Sequence, residues 1–271
     1  VETKTILFIG IILITSGCME NLDLDSSDES NSNQMPNRGL EIQEFTITDD
    51  TLRPEQNAMI TASLKNYHRE ISIYEVEIFN EGPHLTVNKQ GCTPSENNLE
   101  GARENIYPEM ECSWEVEAPQ ESEIDGFRER TEPVKLRVSY EAPVENQEGL
   151  KVSFQEIEDI ENTQTVSRSF DNGEVEASMT TESPVAASSG NTVELSASNS
   201  GDGRVDGGYE FSYSPDVFEN CPESDEPIGN NEWSSVCDLS SESTGTRNLF
   251  FTVDYKYIKE PNLDITLVNR G

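Results

Sequence analysis

Beyond residue 39, apolar and polar residues alternate in short runs. The pattern is clear in Leu40-Glu41-Ile42-Gln43-Glu44-Phe45, Met59-Ile60-Thr61-Ala62-Ser63-Leu64 and Ile71-Ser72-Ile73-Tyr74-Glu75-Val76-Glu77-Ile78. It returns in Val134-Lys135-Leu136-Arg137-Val138-Ser139-Tyr140 and Leu150-Lys151-Val152-Ser153-Phe154. A period of two sends successive side chains to opposite faces, so each run has one face to bury. Gly, Pro, Asn and Asp collect between the runs and read as turns. Half-buried antiparallel strands are predicted throughout, with no helical period in this region. Strands with one apolar face must stack as two sheets, which makes a sandwich the first expectation and a jelly roll or barrel the second.

The second half repeats the order of the first. Asn57 to Asn66 is echoed by Asn191 to Asn199, and the strand Tyr74–Phe79 by Tyr209–Tyr213. A cysteine-bearing loop follows in each half, then a strong strand (Val134–Tyr140, Leu249–Tyr257) and a closing strand (Leu150–Phe154, Leu263–Val268). The fold class expected is all-β, with two tandem Ig-like antiparallel β-sandwiches at 40–154 and 173–271. An acidic linker at 155–172 would leave them mobile relative to each other. Ser189-Gly190-Asn191-Thr192-Val193-Glu194-Leu195-Ser196-Ala197-Ser198-Asn199-Ser200-Gly201, followed by Gly207-Gly208-Tyr209-Glu210-Phe211, resembles the CARDB-type Ig-like modules of archaeal and bacterial surface proteins. The first half departs from that pattern, with Arg53-Pro54-Glu55-Gln56-Asn57 in place of the glycine and no Asn-x-Gly after Lys65. The resemblance implies a sandwich with an adhesive, spacing or partner-binding role and no catalytic residues.

The N-terminal 39 residues are of another kind. Ile6 to Ile14 is an apolar run of secretory length, too short to span a bilayer. Thr15-Ser16-Gly17-Cys18 follows it and resembles the bacterial and archaeal lipoprotein signal, with Thr15 where that signal normally carries Leu. Residues 1–17 are expected to be a signal peptide and Cys18 the lipidated residue, placing the chain on the outer face of the cytoplasmic membrane. Residues 18–39 are acidic and serine-rich, with little to bury, and read as a disordered stalk. Its span would be about 25 Å.

Net charge then narrows the partners. The chain has 53 acidic and 18 basic residues, a formal charge of −35. No nucleic acid is expected, since phosphate recognition needs Lys and Arg. Membrane attachment is expected through the lipid on Cys18, because an anionic bilayer repels this chain. The acid excess runs along the whole sequence, as suits a halophilic protein whose carboxylates are screened by salt.

With Cys18 set aside, Cys92, Cys112, Cys221 and Cys237 remain. Four cysteines allow three pairings. Proximity and the repeat favour Cys92–Cys112 and Cys221–Cys237, each worth about 3 kcal/mol in the chain-entropy picture. No CxxC pair occurs and only His68 and His84 are present, so neither metal nor cofactor is expected. Both histidines are expected in surface loops, and no Gly-x-Ser-x-Gly elbow accompanies them. Asn199 to Gly207 has half the pattern of a calcium loop but lacks the closing bidentate acid, so a turn is the preferred reading. Trp114 is expected in the core beside Cys112. Trp233 is balanced between core and exposure, and in the stapled acidic loop from Cys221 to Cys237 it is the recognition candidate. The partner would be a cell-surface protein or glycan. The overall expectation is a lipid-anchored, non-catalytic adhesion, spacing or binding protein. The alternative is a solute- or carbohydrate-binding surface lipoprotein.

Overall fold

The computed structural model describes residues 38–124, 126, 128–187, 190–213, 217–222, 224–225 and 232–269. Segment 1–17, Cys18 and most of the predicted stalk lie outside the described residues. So does the middle of the loop between Cys221 and Cys237. The described residues belong to one compact unit, Gln34–Gly271.

The body is all-β. The first half supplies β1 (Leu40–Ile47), β2 (Thr51–Leu52), β3 (Asn57–Asn66), β4 (Ser72–Asn80), β5 (Thr86–Thr93), β6 (Glu109–Glu117), β7 (Glu129–Glu145) and β8 (Leu150–Gln155). The second supplies β9 (Gln164–Asp171), β10 (Val175–Ser183), β11 (Val185–Ala186), β12 (Asn191–Asn199), β13 (Arg204–Tyr213), β14 (Phe218–Glu219), β15 (Ser224–Asp225), β16 (Glu232–Leu239), β17 (Gly245–Leu249), β18 (Phe251–Lys259) and β19 (Asn262–Val268). The alternation behaves as its period requires. In β3 every second residue from Ala58 to Asn66 is buried, and in β6 the buried set is Met110, Cys112, Trp114 and Val116. Sheet β1-β3-β6-β5 belongs to the first half and sheet β14-β16-β12-β10-β9 to the second, while strands of both halves share the three-stranded sheet β11-β8-β17 and a seven-stranded sheet in the order β15-β13-β18-β7-β19-β2, with β4 also paired to β7.

That shared sheet shows how the halves are joined, and it differs from two sandwiches in series. The closing strand of each half sits in the other half. Strand β19, last in the second half, lies antiparallel to β7 and parallel to β2, both from the first. Strand β8, last in the first half, lies antiparallel to β17 and parallel to β11, both from the second. The partners are equivalent, which is the signature of an exchange between two copies of one plan.

Two long strands make the exchange geometrically simple. β7 runs for 17 residues. β18 and β19 follow it in one uninterrupted register, from Thr252 opposite Glu145 through Lys259 opposite Val138 to Val268 opposite Glu129. The break between them at Pro261 keeps the register, because Leu136 N–H still donates to the Pro261 carbonyl (3.1 Å). The expected linker is also partly structured: its residues 164–171 form β9, paired along β10 from Ser183 to Glu176. The ribbon therefore crosses from one half to the other as hydrogen-bonded sheet.

Both favoured disulfides are present. Cys92 and Cys112 face each other across β5 and β6, with Cα atoms 4.0 Å apart. Cys221 and Cys237 close the second loop at 4.8 Å. Each half also holds one tryptophan in its core, Trp114 and Trp233.

A chain cut to residues 40–154 lacks β19 and leaves β8 with no partner. It is expected to stay unfolded, with no near-ultraviolet dichroism and with Trp114 emitting as free indole. A native-like spectrum from that fragment would show that the first half closes by itself.

Candidate functional site

The two faces of the shared sheet have different chemistry. On the inner face, beside the crossing point, lies Glu174, in the turn between β9 and β10 and fully buried. Its carboxylate accepts from Leu40 N–H (2.9 Å), from the Tyr255 hydroxyl (3.1 Å) and from the Tyr140 hydroxyl. His68 Nε2 lies 3.0 Å away and Lys259 Nζ 3.4 Å. The Glu174 carbonyl accepts from Ser200 and Gly201, tying in the turn between β12 and β13. One side chain thus joins the start of β1, the end of β3, β7 and β18. Glycine at position 39 is required by this approach, since a Cβ there would sit 1.9 Å from the Glu174 carboxylate oxygen.

A buried charge survives only when its partners outweigh desolvation. Burial pushes the Glu174 carboxyl up, but His68, Lys259 and Tyr140 together hold it below the ordinary glutamate value. Burial pushes the Tyr140 and Tyr255 hydroxyls well up, and the charge of Glu174 adds to it. His68 is therefore a buried partner of this knot, 4% exposed, and not the surface loop residue expected. His84 does lie in a partly exposed loop, between β4 and β5, but its ring and its backbone N–H both meet Glu132, which is buried and also pairs with Arg130 (3.1 Å). Glu132 had a signal in the sequence, an acid in phase with the inward residues Val134, Leu136 and Val138. Glu174 had none, because it precedes the alternation of its strand.

The outer face carries the candidate site, a cleft of about 800 Å³ that spans both halves. Glu70 and Ser72 line it from the first half, Glu141 and Pro143 from β7, Asp254 and Lys256 from β18, and Asp206, Gly207, Gly208 and Glu210 from β13. Its concavity has a local cause. The register of β13 against β18 shifts between Val205 and Tyr209, so Asp206-Gly207-Gly208 bulge, with Gly207 at φ +88°. A bulge bends its strand and re-aims the side chains beside it.

Five carboxylates line this cleft, with Lys256 as the cation among its lining residues. Lys256 Nζ lies 3.2 Å from Asp206 and 5.9 Å from the centre of the Tyr74 ring. Burial pushes Asp206 up, but Lys256 and Arg204 outweigh it and hold the carboxyl low. Asp254 has no such relief: burial pushes its carboxyl up, and Glu210, Glu145, Glu141 and Glu70 push it further. Tyr74, half exposed at 53%, also shifts upward through its hydrogen bond to Glu141. The cleft is thus a negative, acceptor-rich surface with an aromatic beside it. Among the described residues no group of three or more His, Cys, Asp or Glu is placed to hold a metal ion.

The other expected residues fall elsewhere. Trp233 is 3% exposed and stacks on Phe211 at 3.9 Å, so its ring fills the core of the second half and is not presented to a ligand. Asp202 pairs with Lys259 (2.8 Å), and the turn around it is tight, since a Cβ on Gly203 would meet the Ile258 carbonyl at 2.4 Å. Nothing in the sequence linked Glu70, Glu141, Asp206, Glu210 and Asp254, because the pairing of β4 and β18 with β7, and of β13 with β18, is what gathers them.

No family model and no curated protein matches the chain. A solved structure, collagen adhesin from S. aureus, aligns over 84% of this chain and 92% of that one, at 6% identity and a TM-score of 0.14. A superposition at that level carries no argument.

Glu174→Gln is expected to destabilise the fold by about 3 kcal/mol at neutral pH, since it leaves His68 and Lys259 without their buried counter-charge. A carboxyl held low in the folded state stabilises above its unfolded pKa of about 4.3, and that share is lost as pH falls through the folded value. The gap between the two proteins in denaturant midpoint should narrow below about pH 4.3. A gap that does not change with pH would assign the loss to packing alone.

Proposed function

We propose that this chain is a non-catalytic cell-surface protein, tethered by lipid on Cys18, that works by adhesion, spacing or partner binding. The observation that supports it best is the acidic cleft, a concave face made jointly by both halves. Two disulfides fit an oxidising exterior. The cleft suits a partner surface that presents lysine or arginine side chains, with Tyr74 offering a ring face to a cation. Strand β7 also separates this face from the Glu174 knot: Tyr140 points inward and its neighbour Glu141 outward. A stalk leading to Leu40 would therefore enter beside the knot, and the cleft would open on the opposite face of the sheet. Solute or carbohydrate binding is the second reading, favoured by the same cleft if its carboxylates accept from sugar hydroxyls.

Two measurements test this proposal. Cys18→Ser is expected to move the protein from the membrane fraction to the medium, and its retention in the membrane would remove the lipid tether. The pair Glu141→Gln and Asp254→Gln is expected to weaken binding of a decalysine peptide about tenfold at matched salt, equivalent to about 1.4 kcal/mol. Unchanged binding would show that the cleft is not the contact face.

A further inference from the structure

The slot that holds β19 is built wholly from the first half. Seven register pairs join β19 to β7, from Asn262 opposite Lys135 to Val268 opposite Glu129, and two join it to β2. Ile265 and Leu267 anchor it in the core, each no more than 1% exposed. None of these contacts depends on the strand belonging to the same chain. The covalent link contributes only local concentration. That link is short and extended: β18 ends at Lys259, β19 begins at Asn262, and Glu260-Pro261 joins them without a turn. The fold already closes each half with a strand from across the boundary, so the slot is an acceptor by construction.

We propose that β19 is also exchanged between two copies of this chain, giving a reciprocal dimer in which each first half is closed by the other copy's β19. Every register pair of β19 is kept in that dimer, and only the direction of the chain at Glu260-Pro261 changes. Exchange of an identical element is a low-cost route to a two-fold dimer. Copies crowded on one surface would favour it by mass action.

Thr131 and Thr266 provide the test, because they face each other across β7 and β19 with hydroxyl oxygens 3.4 Å apart. Full-length chains carrying Cys18→Ser would be made with Thr131→Cys alone or with Thr266→Cys alone. They are co-refolded at high protein concentration in salt, then oxidised under conditions where a chain with both substitutions closes its own bridge. The expected product is a covalent heterodimer joined at 131 and 266, read by intact and peptide mass. Its yield should exceed severalfold that of the control mixture of Thr131→Cys with Thr252→Cys, whose second position faces Glu145 of β7. A yield no greater than the control, or monomers alone, would overturn the exchange.

Discussion

Neither half of this chain closes its own sandwich. A sheet with an unfilled slot leaves backbone donors and acceptors unpaired and an apolar seam open to water, and both are costly. Here the seam of the first half waits for Ile265 and Leu267, and that of the second for Val152 and Phe154. The continuous register of β7 against β18 and β19 follows from that requirement, as does the single compact unit. The two halves are one cooperative object because each is incomplete alone.

Glu174 reinforces the same junction by different means. Hydrophobic closure is non-directional, whereas a carboxylate with five donors around it fixes relative positions closely. The donors come from β1, the end of β3, β7 and β18, so the charge is satisfied only when both halves are docked. A buried ion adds little net stability over an apolar filler, but it penalises every misaligned arrangement. The histidines are absorbed into this kind of architecture, His68 with Glu174 and His84 with Glu132.

Much of the fold was legible in the sequence because burial has a period. The runs at 40–45, 59–64, 134–140, 150–154 and 191–199 are strands, and the favoured cysteine pairs are bonded. Trp114 followed from its phase with Cys112. The exchange was not legible, because β8 and β19 have the same pattern whichever half receives them. Pairing partners are a property of three-dimensional docking, and alternation reports only which face is buried. The candidate site was hidden because its pieces meet only where β18 pairs with β7. Its carboxylates come from β7, β13, β18 and the loop before β4, where an acid is ordinary in a chain of this charge. Trp233 shows the converse: the polar loop before it left core and exposure evenly balanced, while its place as the second residue of β16 turns the ring inward onto Phe211.

The backbone N–H of Leu40 is gripped by the Glu174 carboxylate at the crossing point. A pull on the backbone ahead of Leu40 would therefore load the contacts that Glu174 makes with both halves as well as the pairing of β1 with β3. Strand pairing alone would let β1 peel from β3 one register pair at a time. The Glu174 carboxylate adds a brace at the first residue of that strand, so a load entering there would be shared between the halves.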